Sequence, residues 1–590
     1  MVGKVYDKII ELAKRRGLFW QSFEIYGGLA GYIDFGPLGI KLKRNIENYW
    51  RKIFVEQHQD FITEIETPVI MPAAVFKASG HLDHFTDFMV TCTSCNRIFR
   101  ADHLIEEIIN TSAEGLPAET LNQIIKEKNI KCPECGGTLG PVQVFNLLMK
   151  TTVGPYSGNI AYGRPEAAQG MFINFKRIYD LMGQKLPIGI AQIGKVMRNE
   201  ISPRQGLLRM REFTIMELEL FFDPNNPKCH LLDNVKNKVV NLLLINHKEP
   251  IKITIEDALK EKLILNEWNA YFMAISQDFV EGLGVPREKQ LFLEKSPSER
   301  AHYSSQTFDQ MVHLEDFGWI EVSGHAYRTD YDLKSHMELS GKNLKAYRRL
   351  KEPKIIKHHK ITLRMDVAGK ILKDKVSTIN NKLQSMNAEE VIEMLEKNGF
   401  IEIDNIKLDK NMLRILIEEE TINIEEFIPH VAEPSFGAER LVYVTLENAY
   451  TETEGRIILK IPKHIAPYKV AVFPLVTKDN LDVKAKEIYN LLRTNNIDAL
   501  YDDSEFIGRL YARADEIGIP IAITIDYQTL QDNTVTLRDR DTWAQVRVQI
   551  SDLIKLINEY INNQKQFLEL GPIFKEEHKS ATLDQSRKST

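Results

Sequence analysis

The sequence is short of the features that mark specialised protein classes. Cysteine is scarce, with five in 590 residues, which excludes a disulfide-stapled secreted scaffold and leaves reduced thiols or metal ligands. No stretch approaches the roughly 18 consecutive apolar residues of a membrane span. The opening residues, MVGKVYDKIIELAKRRG, lack the apolar centre of a secretory signal. Val5, Ile9 and Leu12 instead mark one face of an amphipathic helix, and a cytoplasmic location is expected. A large charge excess is also missing. The net charge of −6 means that any site for a polyanion must be local rather than a property of the whole surface. No internal repeat or low-complexity tract interrupts the chain, whose length suggests about four domain-sized units.

What is present is the patterning of a folded α/β protein, with 43% apolar residues and mixed charge. Residues 37–56 (PLGIKLKRNIENYWRKIFVE) have apolar positions at helical spacing. DFITEIETPVIMP then alternates as one strand closed by Pro68 and Pro72. GWIEVSGHAYR (318–328) alternates as a strand, a helix is expected at 388–399, and AEPSFGAERLVYVTLENAY (432–450) reads as a glycine turn feeding a helix. Residues 230–313 mix helical and strand signals. Pro462 and Pro467 bracket a linker, after which YKVAVFPLV (468–476) begins an alternating strand–helix pattern. The end, ATLDQSRKST, reads as a loose tail.

The segment IGKVMRNEISPRQGLLRMREFTIMELEL, from Ile193 to Leu220, alternates like a hairpin but fills its polar positions with arginine and glutamate. Alternation puts Arg198 and Glu200 on one face, and Arg209, Arg211 and Phe213 on one face of the return strand. Arg204 falls in the turn. Guanidinium groups grip phosphate oxygens, a carboxylate accepts from an exocyclic amine, and an aromatic ring stacks on a purine. A polyanion carrying a planar base would suit such a surface. A solvated face laced with cross-strand ion pairs would use the same residues, so the pattern leaves both readings open.

Cys92-x2-Cys95 and Cys132-x2-Cys135 form two knuckles separated by 36 residues. Their convergence would make a structural zinc site, since four thiolates leave no open coordination position. The neighbouring His81, Asp83, His84 and Asp87 are read as ordinary packing, as is Cys229. Residues 341–375 hold twelve Lys/Arg against three Asp/Glu. That local excess suits phosphate contacts through Lys354, Lys357 and Lys360, or else a solvated helical face.

RNE, a charged loop and R-x-R-E-F resemble motif 2 of the class II aminoacyl-tRNA synthetases; PSFGAERL resembles motif 3, and residues 37–68 resemble motif 1. More narrowly, YGRPEAAQGMFINFKR (162–177), QIGKVMRNEISPR, EPSFGAER, and GRLYARADEIG with TVTLRDRDT resemble the glycyl-tRNA synthetase family of the archaeal and eukaryotic dimeric type, from about residue 5 to 560. The resemblance implies an α/β (α+β) fold with an antiparallel catalytic sheet flanked by helices over 1–465. Motif 1 would lie at about 37–72, motif 2 at 193–220 and motif 3 at 432–450. A zinc-binding insertion is expected at 88–140, an insertion of unassigned structure at 230–310, a basic insertion facing the tRNA acceptor arm at 335–428, an α/β anticodon-binding domain at 467–562 and a flexible tail at 570–590.

The same resemblance implies roles. Arg198 would clamp the α-phosphate of ATP, Glu200 accept from the adenine amino group, Phe213 stack under the base and Arg440 meet the γ-phosphate. Glu321 would hold Mg²⁺. Asn199, Leu208, Arg209, Met210, Arg211, Glu212, Val322, Gly437, Ala438 and Glu439 would complete the ATP site. Glycine would be read by Glu166, Glu217, Glu433 and Ser435 beside Phe213 and Gly437, with Arg100 on its carboxylate, in a pocket that crowds the α-carbon. No editing domain is then required. The expected partners are glycine, ATP, tRNA(Gly) and a second copy of the chain, with Arg509, Tyr511, Arg513 and Arg538 as anticodon contacts. Two alternatives stay open: an inactive relative serving as an accessory subunit, and a class II enzyme for another amino acid. Retention of Arg198, Glu200, Phe213 and Arg440 argues against the first, and the RPEAAQG and EPSFGAER contexts against the second.

Overall fold

The computed structural model describes residues 4–110, 113, 115–155, 158–203, 205–297 and 299–574. The chain forms two compact units, Met1–Leu344 with Pro429–Thr590, and Lys345–Ile428. Arg204, expected in the turn of the charged segment, and the tail from 575 lie outside the described residues.

The centre of the larger unit is a nine-stranded sheet. In chain order its strands are β1 (Ile62–Glu64), β2 (Ile188–Met197), β3 (Glu212–Phe222), β4 (Val239–Leu243), β5 (Ile251–Thr254), β6 (Gln290–Glu294), β7 (Gln306–Leu314), β8 (Gly318–Thr329) and β9 (His430–Gly437). Their spatial order is β5-β4-β6-β7-β8-β9-β3-β2-β1. Neighbours are antiparallel except for β1 with β2 and β4 with β6.

Three helices, α1 (Pro37–Trp50), α2 (Glu267–Gly282) and α3 (Ala438–Ala449), cover one face. Helix α1 starts where Pro37 supplies a pre-set φ after Gly36. It buries Leu42, Ile46 and Trp50, a stripe at four-residue spacing. Strand β3 shows the period of two that builds the site. Met216, Leu218, Leu220 and Phe222 enter the helix-covered core, while Phe213, Ile215 and Glu217 line cavities on the opposite face.

Three segments depart from the sequence reading. DFITEIETPVIMP is not one strand: Ile62–Glu64 joins the central sheet as β1, while Ile70–Pro72 pairs with Ile160–Gly163 in a three-stranded sheet. Pro68 falls in the break between them and cannot donate to a ladder. Residues 230–310, left without an assigned structure in the sequence, supply β4, β5, β6 and α2, which extend the central sheet and its core. The compact second unit begins at Lys345 rather than 335, because the helix Tyr331–Ser340 belongs to the larger unit.

Residues 86–146 form a three-stranded sheet with two helices, Ala101–Ile109 and Ala118–Glu127, around a small core of its own. From Val470 a five-stranded mixed sheet, flanked by helices Leu481–Thr494, Ile507–Glu516 and Leu553–Ile561, makes a further α/β layer. Past residue 570 the chain is not loose at once: Phe574 donates its N–H to Gln545 and Pro572 accepts from Arg547 along the sheet edge.

The second unit is a long hairpin, Ala346–Leu363 with Leu413–Phe427, packed with helices Met365–Leu372, Val376–Ser385 and Ala388–Asn398. The basic run is therefore mostly strand, not a helical face.

Candidate functional site

Strand β2 ends at Met197 and β3 begins at Glu212, so Arg198, Glu200, Arg209 and Arg211 sit on the connecting loop and not on paired strands. That loop, β8 and the β9–α3 junction enclose a narrow cleft lined by Arg198, Glu200, Leu208, Arg209, Met210, Phe213, Glu321, Val322, Ser435, Gly437, Glu439 and Arg440. The Arg198 guanidinium carbon lies 5.3 Å from the centre of the Phe213 ring. Arg209 Nε donates to Glu200 Oε2 at 2.7 Å. Arg440 Nη1 donates to the Glu321 carbonyl at 2.9 Å and stands 3.1 Å from its carboxylate. Burial pushes the Glu321 carboxyl up, but Arg440 and Arg198 outweigh it and hold the group below the ordinary carboxylate range. Arg198 Nε donates to the Pro165 carbonyl at 3.1 Å, so each of these cations rests on a protein acceptor that a phosphate oxygen could replace. Gly437 is extended, with φ −86°, so the backbone itself does not demand glycine there.

Other residues assigned to the nucleotide act as scaffolding. Arg211 donates to the carbonyls of Glu200 (2.8 and 3.0 Å) and Ala30 (3.0 Å), tying the loop to the N-terminal segment. Asn199 donates its backbone N–H to Leu147. Glu212 pairs loosely with Lys195 at 3.6 Å, and Ala438 is buried at the start of α3. Glu439 accepts from the Thr214 N–H at 2.7 Å and meets Lys43 at 3.0 Å.

A larger cavity of about 680 Å³ adjoins the cleft, the two sharing Arg198, Ile215, Glu321 and Ser435. It is far roomier than glycine requires, so crowding of the α-carbon is not imposed by cavity size in this conformation. Its floor gathers the three glutamates expected for glycine. Glu217 and Glu433 come from neighbouring strands β3 and β9, and Glu166 from the loop before the helix Ala168–Leu181. Glu217 Oε2 accepts from the Ala167 N–H at 2.7 Å.

The cation that holds this cluster together is Arg328, on β8, to which the sequence reading gave no role. Fully buried, it meets Glu433 at 2.9 Å, Asp332 at 2.9 Å and Glu166 at 3.3 Å. Its guanidinium carbon lies 3.6 Å from the centre of the Tyr303 ring. Burial raises the Glu166 carboxyl, yet Arg328 and His81 overcome it and leave the group well below its usual range. Glu217 and Glu219 go the other way: burial and then the nearby Glu433 carboxylate push both well up. Glu219 stands opposite Glu433 across the ladder implied by the Leu220–Ala432 pairing, and neither of its carboxylate oxygens has a hydrogen-bond partner among the described residues. Arg100, expected on the substrate carboxylate, is already bidentate on Asp102 at 2.8–3.0 Å and 3.5 Å from Asp87. His81, set aside as packing, hydrogen-bonds Ser79 at 2.7 Å and stands 3.6 Å from Glu166. The only sequence trace of Arg328 and Asp332 was charge at inward positions of an alternating strand and the helix after it.

Away from the cleft, Cys92, Cys95, Cys132 and Cys135 converge, their sulfurs within 4.8 Å of one another. Cys92 and Cys135 are 3.6 Å apart, Cys95 and Cys132 3.7 Å. Four sulfurs held about 2.3 Å from one ion would lie roughly 3.8 Å apart, so the donor set fits a tetrahedral metal. Cys229 is buried, and burial pushes its thiol up to about 12, an inert packed group.

Of the expected RNA contacts, Arg509 is exposed over Phe506 and pairs with Glu505 at 3.1 Å. Arg513 pairs with Asp502 at 2.6 Å, and the Tyr511 ring lies 4.7 Å from the Arg538 guanidinium carbon. Arg538 itself is 4% exposed and bidentate on Asp515 at 2.9 and 3.0 Å, which makes it a brace inside the domain and not an RNA contact. In the second unit, Lys357 meets Glu419 at 3.1 Å and Lys360 meets Glu418 at 2.8 Å, while Lys354 stands opposite Ile422. An acidic strand therefore offsets much of the basic run.

A mostly antiparallel sheet carrying this arginine-walled cleft, together with a C-terminal segment (469–560) that matches the profile of an anticodon binding domain, defines a class II aminoacyl-tRNA synthetase. The chain is 47% identical to a glycine–tRNA ligase of Aeropyrum pernix over 97% of its length and 99% of the relative. It is 47% identical to that of Pyrococcus furiosus over 94% and 99%, and 45% to that of Methanocaldococcus jannaschii over 95% and 99%. It belongs to the glycine–tRNA ligase family. No helix among the described residues is long and apolar enough to cross a membrane.

Proposed function

We propose that this protein activates glycine with ATP, releasing pyrophosphate, and transfers the glycyl group to the 3′-terminal adenosine of tRNA(Gly). The observation that carries the reading is the adjacency of an arginine-walled cleft to a glutamate-lined cavity, with Arg198 and Ser435 bordering both. The glycine carboxylate attacks the α-phosphorus of ATP, the bond to the pyrophosphate breaks, and glycyl-adenylate is left. Arg198 neutralises charge at the α-phosphate, Arg440 at the γ-phosphate, Phe213 stacks on adenine, and Glu200 takes the exocyclic amine once Arg209 shifts toward phosphate. Both reactants are anions, so positioning and neutralisation supply the rate gain, with no side-chain nucleophile. Glu321 and the ATP phosphates would hold Mg²⁺, which supplies further charge neutralisation when bound.

Glu166, Glu433 and Glu217 receive the glycine ammonium, with Arg328 fixing the first two. The terminal ribose of tRNA then enters the larger cavity, whose volume suits a nucleotide end beside the adenylate, and its 3′-hydroxyl attacks the mixed anhydride. Arg509 and Arg513 serve the anticodon end. Zinc held by Cys92, Cys95, Cys132 and Cys135 would brace the small domain that walls the cavity through Arg100; metal analysis should find about one zinc per chain. The active form is a homodimer in the cytoplasm, formed around the α1 region.

Exchange of labelled pyrophosphate into ATP, run with each of the twenty amino acids without tRNA, tests the reading. Exchange with glycine alone supports it; exchange with another amino acid keeps the class and overturns the pocket.

A further inference from the structure

The two elements that grip a nucleotide from opposite sides, Phe213 on β3 and Arg440 on α3, each adjoin a buried polar residue. Thr214 follows Phe213, and Glu439 precedes Arg440. Both are held by one lysine on a third element. Lys43, on α1, is 6% exposed, and its ammonium lies 2.6 Å from Thr214 Oγ1, 3.0 Å from Glu439 Oε1 and 3.5 Å from Glu47 on its own helix. The second Glu439 oxygen accepts the Thr214 backbone N–H at 2.7 Å. The Phe35 ring closes the site at 5.5 Å from the ammonium. A lysine is rarely taken out of water without a task, because the desolvation cost is recovered only with well-placed partners. Here the ammonium donates to Thr214 Oγ1 and has two carboxylates, Glu439 and Glu47, within ion-pair distance.

We propose that Lys43 is a positioning residue for nucleotide binding, acting through Glu439 and Thr214 without touching ATP. The chain of contacts is short. Lys43 and the Thr214 N–H hold the two oxygens of Glu439. That fixes the first turn of α3, from which Arg440 reaches to its contacts on Leu208 and Glu321. The same bonds fix β3 at the residue next to Phe213. The distance between the base platform and the phosphate arginine is thereby set from α1. None of the three members borders the glutamate-lined cavity, so the dependence should fall on ATP and spare glycine. Glu439, which the resemblance assigns to ATP, becomes part of this brace: its carboxylate, 1% exposed, is held by Lys43 at 3.0 Å and the Thr214 N–H at 2.7 Å, with Lys195 farther off at 3.7 Å.

The inference rests on the proposed function only for the identity of the nucleotide. The test therefore measures ATP affinity directly by calorimetry on the full chain, alongside glycine-dependent pyrophosphate exchange and thermal unfolding. Lys43→Met should weaken ATP binding about tenfold and raise the KM for ATP to match, with the KM for glycine within twofold of wild type. Lys43→Arg should recover part of the loss. The double variant Lys43→Met with Glu439→Gln should be no worse for ATP than Lys43→Met alone, because the carboxylate that has lost its nearest cation has been neutralised.

ATP affinity unchanged in a folded Lys43→Met protein overturns the proposal. So does an equal rise in KM for ATP and glycine, which would mean general loosening, or a double variant whose losses simply add. Should Lys43→Met not fold, Thr214→Val and Glu439→Gln carry the same test, each expected to weaken ATP about threefold with glycine spared. Wild-type protein that binds ATP but shows no glycine exchange would defeat the proposed function and leave the role of Lys43 to be judged on affinity alone.

Discussion

The carboxylate cluster around Arg328 and the hairpin of the second unit use the same chemistry, basic side chains against glutamates, to opposite ends. Arg328 is fully buried among Glu166, Asp332 and Glu433, with Tyr303 stacked on it. Lys357 and Lys360 face Glu419 and Glu418 across a two-stranded ladder with about half of each side chain in water. In water the attraction is screened and ordering two long side chains costs entropy, so each pair contributes little. In the interior the charges cannot return to solvent: removing one partner strands the others, and their ionisation shifts by direction and degree with each neighbour. Charge density along the chain is a poor guide to which of the two is present.

The largest effect should come from Arg328. Arg328→Met leaves three buried carboxylates without their cation. It should cost about 3–5 kcal/mol of stability and lower glycine-dependent exchange on the order of a hundredfold or more, read by thermal unfolding and exchange kinetics. A change near zero in both would erase the contrast. Next in size is the thiol cluster: Cys92→Ser should abolish stoichiometric zinc and release the 86–146 domain first, seen as early hydrogen exchange in its helices while the central sheet stays protected. Uniform protection with no metal lost would remove the site.

A pH comparison sharpens the buried side. Burial and then Glu321 push the Asp309 carboxyl up from 3.8 to about 8. A folded value above the unfolded one means that, as pH rises between the two, the unfolded chain releases its proton first, and stability is progressively lost until about pH 8. Asp309→Asn should therefore gain on wild type as pH is raised from 4 to 8, read as a steadily widening difference in unfolding midpoint between the two proteins. An advantage that shrinks over that range would reverse the assignment. The smallest effect belongs to the exposed ladder. Neutralising Lys354, Lys357 and Lys360 together should change stability by no more than about 1 kcal/mol per pair, leave pyrophosphate exchange intact and raise the KM for tRNA. An unchanged KM for tRNA would leave the basic strand a solvated face without the phosphate contacts expected of it.

What could be read in advance followed from local rules. Two CxxC knuckles have one economical use, and the sulfurs do converge. Apolar spacing located α1 and α3, and period-two alternation located β8. Short motifs with fixed offsets brought Arg198, Phe213, Glu321 and Arg440 to one cleft. Where the reading failed, the deciding contact was distant in sequence. DFITEIETPVIMP carries one strand pattern, but its halves pair with residues about 100 positions away in two different sheets. Residues 230–310 stayed without an assigned structure because their strands are short, four or five residues each, and interleaved with helix. Arg538 looked like an RNA contact until Asp515 was found 2.9 Å away in the interior.

By itself, then, the sequence determined most of the elements, the pairing of the thiols into two knuckles and the motif residues that line the arginine-walled cleft, because helical and strand periodicity and ligand spacing are written in neighbouring positions. Only the tertiary structure decided which charges lose their water. Arg328 and Lys43 are anchored by partners up to several hundred residues away, and whether a side chain is desolvated depends on everything packed around it.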